Sequence, residues 1–429
     1  MSPAMKARVI VVGGGASGLA AAIAAARAGA EVTLLERGHA LGRKVLASGG
    51  GRCNLTNAQI LPERFHCPKP AFIREALSGF PAREALSFFS ELGLLTVEEQ
   101  DGRVFPRCGK AQALLDALKA ELDRLSVDIR LSTRAAKARR EDGGFLLKTE
   151  AVAWRQTQAG PAAGSGEELR CDRVVLACGG ASYPQLGGGE SAYALAGSLG
   201  HAVTALTPAL VPLCVKEKNL KRLHGLRVEA ELRISCGDRH SRRSRGEVLF
   251  TDYGLSGPAT LDVSREAVLG LARGKVLGSL NLFPELPPQG LKAMLASRWS
   301  TRAQRPLKTF FTGMFPAQLS GVVADALGWD LQRPLESLGA GALDRLAALL
   351  SDWRFEVAAP RPWSEAMVTA GGVSVDEVDP AGFESRLVPG LHLAGEMLDV
   401  DADSGGYNLH FAWASGLAAG RSAAAPRGR

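Results

Sequence analysis

The stretch Val9-Ile10-Val11-Val12-Gly13-Gly14-Gly15-Ala16-Ser17-Gly18, continued by small residues to Ala28, decides how this chain reads. Four β-branched apolar residues predict a buried strand. A Gly-x-Gly-x-x-Gly turn follows, then an alanine-rich helix that Gly29 closes. Glu31 to Leu35 reads as a second strand ending on Glu36. Strand, glycine turn, helix, strand and acid in this order predict a βαβ unit that binds a dinucleotide. Gly13 makes the tight turn, Gly15 lets a pyrophosphate approach the backbone, and Gly18 lets helix and strand pack closely. The helix start presents N–H groups and a partial positive charge to the phosphates. Glu36 lies eighteen residues beyond Gly18, where a carboxylate accepts from ribose hydroxyls. A glycine-rich turn without a ligand is the plainer alternative. The two flanking strands and the acid argue against it.

Outward from this unit, 429 residues allow two or three domains, and 46% apolar residues exclude a disordered chain. A formal charge of +7 is a mild excess at this length. It suits anionic ligands or simply a basic, solvated surface. The seven cysteines (53, 67, 108, 171, 178, 214 and 236) form no C-x-x-C and are odd in number. That argues against a disulfide framework and a zinc site, and for a reducing cytoplasmic location. Lys6 and Arg8 before an apolar run superficially resemble a signal peptide, but Gly13–Gly15, Arg27 and Glu31 are explained only by the βαβ unit. No segment reaches the length of a charge-free membrane span.

After Glu36 comes a glycine- and polar-rich loop: Gly42-Arg43-Lys44, then Ser48-Gly49-Gly50-Gly51-Arg52-Cys53-Asn54-Leu55-Thr56-Asn57. It suits a backbone wrapped around a polar ligand, with Arg43, Lys44 and Arg52 to offset diphosphate charge. A mobile glycine linker is the alternative. Cys53 reads as a packing residue rather than a nucleophile. Helical spacing marks 72–77, 82–92 and 110–125, and strands are expected at 127–131 and 145–150, with a hairpin into 151–158 and a loop at 159–166. Arg173 to Ala177 predicts a fully buried strand entering Cys178-Gly179-Gly180, a second ligand-facing turn. From 206 the pattern turns to short strands at 210–215, 226–235, 247–251 and 275–283. The basic run 239–245 has no interleaved aromatics and reads as an exposed hairpin tip. Helices follow at 291–299, 307–314, 319–327 and 343–350, where Trp299, Trp329 and Trp353 are expected in the core. Gly390 to Glu396 is another buried strand ending in Gly-Glu. Ser404-Gly405-Gly406-Tyr407-Asn408 opens an apolar helix through Ala419. The expected domains are 1–195 for the first part of the dinucleotide fold, a β-rich insert at 196–285, a helical insert at 286–350, and 351–429 returning to the edge of the β-rich domain and then to the last part of the dinucleotide fold.

Gly42-Arg43-Lys44, the Ser48–Asn57 segment, Phe250-Thr251, Leu255-Ser256-Gly257-Pro258, Thr369-Ala370-Gly371-Gly372-Val373 and Gly405-Gly406-Tyr407-Asn408 together resemble the aminoacetone-oxidase-like and bile-acid-reductase-like FAD-dependent oxidoreductases. The resemblance runs from Val9 to about Gly420. It implies an α/β fold: a glutathione-reductase-type FAD-binding Rossmann domain with an inserted β-barrel-like domain and a small helical domain. It implies non-covalent FAD, with Gly13, Gly15, Ser17 and Gly18 on the pyrophosphate and Glu36 on the AMP ribose. Arg43, Lys44, Asn54 and Thr56 would line the loop from diphosphate to flavin. Ala135 would meet the adenine side through its backbone, and Gly179 would form the second turn. Glu396 would reach the diphosphate or ribityl chain, and the Asn408-Leu409 backbone the flavin pyrimidine edge. Two departures stand out. Leu186-Gly187-Gly188-Gly189-Glu190-Ser191-Ala192 replaces the usual Thr-Gly-Ser-Thr-Gly-Asp-Gly, and Asp252 stands where His usually follows Phe-Thr.

The leading functional expectation is hydride transfer between FAD and a small organic substrate: an enone, a ketone or an amine. A second Gly-x-Gly-x-x-Gly unit is missing, so NAD(P)H is expected only as a transient donor. The alternatives are an RNA-directed flavoprotein, supported by the positive charge and weakened by the lack of interleaved aromatics, and a non-catalytic flavin-binding protein. No metal or membrane partner is expected. Substrate, donor, catalytic acid and oligomeric state are left open by the residues.

Overall fold

The computed structural model describes residues 6–155, 158–161, 166–237, 240–301 and 305–426. The chain divides into two compact units, Met1–Thr207 with Met367–Arg429, and Pro208–Ala366.

The first unit is built on five parallel strands. They are β1 (Arg8–Val12), β2 (Glu31–Leu35), β3 (Asp128–Arg130), β4 (Arg173–Leu176) and β5 (Leu391–Leu393), side by side in the order β5-β4-β1-β2-β3. Val9, Val11, Leu34, Val174, Val175 and Leu393 are all buried, as expected of a parallel sheet covered on both faces. Val12 stands opposite both Leu35 and Leu176, so β1, β2 and β4 end level with one another. The residues that follow each strand therefore gather at one carboxyl edge, where open α/β sheets bind ligands.

Helix α1 (Ala16–Arg27) covers the sheet and is buried from Ala16 to Ala25. The last helix, α2 (Tyr407–Ala424), packs against it. A Cβ at Gly416 would collide with the Ser17 carbonyl, and one at Gly420 with the Ala21 carbonyl. The small-residue runs of both helices thus serve a close backbone approach.

The strand at Thr133–Glu141 departs from the sequence expectation, which places none there. Its residues, Thr-Arg-Ala-Ala-Lys-Ala-Arg-Arg-Glu, lack an apolar alternation. Pairing with Gly144–Arg155 makes it a strand. Residues 162–165 of the expected loop lie outside the described residues.

The second unit holds a closed antiparallel barrel. In barrel order its strands are Leu213–Val215, Gly254–Ser256, His240–Phe250, Arg227–Cys236, Val276–Asn281 and Trp353–Pro360. Closure removes the exposed edges that short strands would otherwise present. Pro258–Leu271 is a helix where only strands are expected, with Pro258 in the first turn, where proline is tolerated. Its Ala259, Val263 and Ala267 join Leu232, Ile234, Phe250 and Phe355 of the strands in one core. Helices Pro288–Ser300, Ala317–Leu327 and Ala342–Ser351 add Leu291, Leu295, Val322 and Leu346 to that same core, and Trp329 and Trp353 are buried within it. Trp299 packs against it, so all three tryptophans are packing residues. Arg243 and Arg245 of the basic run are exposed on a strand; Arg239 lies outside the described residues. Among the described residues, no helix is long and apolar enough to cross a membrane.

Candidate dinucleotide site

Gly13, Gly15 and Gly18 of the turn after β1 stand in three different settings. Gly13 adopts φ +112°, and a Cβ there would strike the Ala177 carbonyl on β4's exit. A Cβ at Gly18 would strike the Gly13 carbonyl, so α1 can approach the turn only as glycine. A Cβ at Gly15 would meet nothing within 4 Å. Gly15 is the N-cap of α1, with no side-chain cap and no acidic residue in the first turn. Packing demands the outer two glycines; the middle one faces open space at an uncapped helix start. That is an anion cradle built from backbone. Ser17 is buried on this first turn, and Gly395 packs so closely that a Cβ there would collide with its hydroxyl.

Glu36, at the end of β2, accepts from the Gly14 amide at 2.7 Å and also from the Gly38 amide. The carboxylate thus braces the glycine turn from the side while both of its oxygens keep further acceptor capacity. Thr133 donates its amide to the Glu36 carbonyl at 2.9 Å, which brings Ala135, two residues on, toward the same corner. The ladder has a bulge between Ala135 and Lys137. Ala135 lines a cleft of about 500 Å³ together with Lys137, Lys148 and Ser191.

A polar network joins four stretches that are separate in sequence. Glu396, in the turn after β5, accepts from Ser182 Oγ at 2.9 Å and from the Thr369 amide at 3.0 Å, and pairs with Lys44. Lys44 Nζ also donates to Ser182 Oγ at 2.6 Å. Thr369 Oγ1 accepts from the Ala181 and Ser182 amides at 2.9 and 3.1 Å. A Cβ at Gly180 would strike Thr369 Oγ1 and the Glu396 carboxylate. Gly179 beside it has φ +74° and an open flank. The sequence does not single out Ser182 and Thr369; their signal is their place in Ser-Tyr-Pro and Thr-Ala-Gly-Gly, whose side-chain roles only the fold reveals.

The three expected diphosphate cations have separate partners. Lys44 holds Glu396. Arg43 Nη2 donates to the Gln185 carbonyl at 2.7 Å. Arg52 pairs with Glu99 and stacks over Phe105, 4.2 Å from the ring centroid. Thr56 is fully buried and turned inward, with its hydroxyl 2.8 Å from His410 Nδ1. Cys53 is buried with φ +61°, and burial pushes its thiol up to about 11, which suits packing rather than nucleophilic attack.

At the start of α2, Gly406 has φ +100°, and a Cβ there would meet the Thr56 carbonyl at 2.5 Å and Asn54 Oδ1 at 2.9 Å. The protein's own backbone therefore demands this glycine, with or without a ligand. Asn54 Oδ1 is buried and has no partner among the described residues. It is an acceptor beside a helix start. Asn408 accepts from the Ala402 amide at 3.0 Å and donates to the Ala402 carbonyl at 2.8 Å, which fixes the entry into the helix. Only its backbone, with that of Leu409, is left for other contacts.

A parallel sheet carrying this cradle, with an inserted six-stranded barrel and packed helices, defines the class: an oxidoreductase built on a Rossmann-type FAD-binding domain. The chain belongs to the HI0933-like Rossmann-domain family, whose model matches residues 7–422. It is 35% identical to the 3-dehydro-bile acid delta(4,6)-reductase of Clostridium scindens, over 97% of this chain and 99% of that one. It is 30% identical to the ribosomal RNA dihydrouridine synthase of Escherichia coli, over 95% of this chain and 96% of that one. Among solved structures, the 3-ketosteroid delta1-dehydrogenase of Sterolibacterium denitrificans shares the fold, with a TM-score of 0.51 at 13% identity over 97% of this chain and 99% of that one.

Proposed function

We propose that the protein holds FAD non-covalently along the carboxyl edge of β4, β1 and β2 and uses it to reduce a carbon–carbon double bond conjugated to a carbonyl in a small organic molecule. NAD(P)H serves as the transient electron donor, and the setting is the cytoplasm. The observation that carries the reading is Gly15: open space at an uncapped helix start, flanked by two glycines that packing accounts for. FAD, when bound, supplies the two-electron chemistry.

The chain's residues do the positioning. Gly13, Gly15, Ser17 and Gly18 hold the pyrophosphate, and Glu36 the AMP ribose. The Ala135 backbone would meet the adenine side, and Gly179 would form a second ligand-facing turn. Lys44 and Glu396 would set the charge near the diphosphate or ribityl chain. The Asn408-Leu409 backbone at the start of α2 would meet the pyrimidine edge, where a helix start favours negative charge.

The substrate class rests on the relatives. A bile-acid delta(4,6)-reductase and a dihydrouridine synthase both, by name, add hydrogen across a double bond in a ring that carries a carbonyl. The higher identity favours the steroid-like enone. RNA is the second reading, favoured by the dihydrouridine synthase relative and the net charge of +7. The deciding experiment is anaerobic stopped-flow. FAD-loaded protein is reduced with NADH or NADPH, then mixed with a 3-keto-4-ene steroid or with unmodified ribosomal RNA, and flavin absorbance is followed. Rapid reoxidation by the steroid supports the first reading, and by RNA alone the second. Reoxidation by neither rejects both substrate readings.

A further inference from the structure

The segment leaving β4 does not stay near that strand. After Gly179-Gly180 the chain bends sharply: Tyr183 lies at φ +52°, a short turn spans Pro184–Leu186, and Gly187 lies at φ +111°. The bend is held by the Gly188 amide on the Tyr183 carbonyl at 3.2 Å and the Gly189 amide on the Gly180 carbonyl at 3.0 Å. Its far side is held from β2. Arg37, directly after Glu36, donates from Nη2 to the Gly188 carbonyl at 2.9 Å and from Nη1 to Ser191 Oγ at 3.1 Å. Arg43 ties the Gln185 carbonyl at 2.7 Å. In the sheet, β1 lies between β4 and β2. The exits of β4 and β2 lie two strand spacings apart, about 10 Å, and the loop from β4 together with the Arg37 side chain from β2 bridges that gap across the end of β1. The Gly13–Gly18 cradle opens at that strand end.

We propose that residues 183–191 form a strap across the mouth of the cradle, latched by Arg37 and Arg43, and that this latch sets how long FAD stays bound. Arg37 and Arg43 are positioning residues: they act on the cofactor through the strap. This revises the expectation that Arg43 neutralises diphosphate. The chain's departure at Leu186–Ala192 fits, because it supplies both partners of Arg37, the Gly188 carbonyl and the Ser191 hydroxyl. The inference rests on the FAD reading above.

The test uses the full FAD-loaded chain and the variants Arg37→Met, Arg43→Met, Arg43→Lys and Ser191→Ala. FAD release is followed by flavin fluorescence after dilution into an excess of an apo-flavoprotein trap. Uptake is measured at two salt concentrations, and amide hydrogen exchange is read over 185–191. Losing a charge-assisted tie speeds release by roughly tenfold or more in the Met variants, less in Ser191→Ala, with Arg43→Lys restoring most of the retention. Uptake is no slower than in wild type and keeps its salt dependence, and exchange over 185–191 rises while the apo-protein melting temperature is unchanged. Unchanged release overturns the strap. So does a loss confined to uptake that shrinks as salt is raised, which makes Arg43 a diphosphate ligand. If the wild-type chain takes up no FAD, the functional reading fails instead, and exchange over 185–191 in the apo variants still decides whether the latch exists.

Discussion

The Glu36 carboxylate accepts the amide proton of Gly14 at 2.7 Å, so the acid that ends β2 is part of the glycine turn that follows β1. The same carboxylate accepts from Gly38. Glu36→Ala therefore removes two acceptors from partly buried amides as well as the proposed ribose ligand. Each orphaned amide costs about 1–3 kcal/mol. The expected outcome is a joint loss: lower urea-unfolding stability of the apo protein and weaker FAD binding by titration. Weaker FAD binding with undiminished apo stability would show that the amide contacts contribute little.

Gly15 and Gly18 separate ligand from packing. Gly18→Ala drives a methyl group into the Gly13 carbonyl and is expected to destabilise the fold by about 1–3 kcal/mol or more, before any FAD is added. Gly15→Ala meets no protein atom within 4 Å, so the apo protein is expected to melt as wild type while FAD affinity falls by about tenfold, ~1.4 kcal/mol. Calorimetry of the apo proteins and FAD titration of each check both halves. A Gly15→Ala protein with full FAD affinity rejects the cradle.

Lys44 and Glu396 are expected to couple. Lys44→Met leaves the Glu396 carboxyl without its cationic partner, still held by Ser182 and Thr369. The loss of FAD affinity should be smaller when Glu396→Gln is already present. A double-mutant cycle on the FAD dissociation constant is expected to give a coupling of about 0.5–3 kcal/mol. Strict additivity would place the pair away from the cofactor.

His410 makes stability depend on pH. The Phe80 carbonyl, 2.9 Å from Nε2, can only accept, so Nε2 carries the proton and Nδ1 accepts from Thr56. Burial pushes this neutral ring down to about 4 from 6.5, and burial pushes His392 down to about 4 as well. Between those values the unfolded chain binds more protons than the folded one. Stability is thus full above about 6.5, falls as pH drops toward 4, and takes no further loss from these rings below that. Each ring contributes a slope of at most about 1.4 kcal/mol per pH unit. Urea midpoints at pH 7.5, 6 and 5 should show a shallower slope for His410→Gln than for wild type. Equal slopes would count against a buried, neutral His410.

The sequence alone determined the βαβ unit, because strand and helix periodicity, the three glycines and Glu36 are local features whose physics is contained in some thirty consecutive residues. The same holds for the buried strands at 173–176 and 391–393 and the helix opening at Gly406. Family membership was legible too, since Ser48–Asn57 and the glycine motifs near 371 and 406 are long enough to be specific. The tertiary structure alone decided the strand at Thr133–Glu141, which has no apolar alternation and exists by pairing, and the helix Pro258–Leu271, whose apolar face is defined by the strands it packs on. It also decided what each cation does. Arg43, Lys44 and Arg52 look alike as charges in a loop, yet one ties a carbonyl, one pairs with a carboxylate 352 residues away and one stacks on a phenylalanine. Hydrogen bonds act over about 3 Å whatever the separation along the chain, so a side chain's partner follows only from which strand ends the fold brings level.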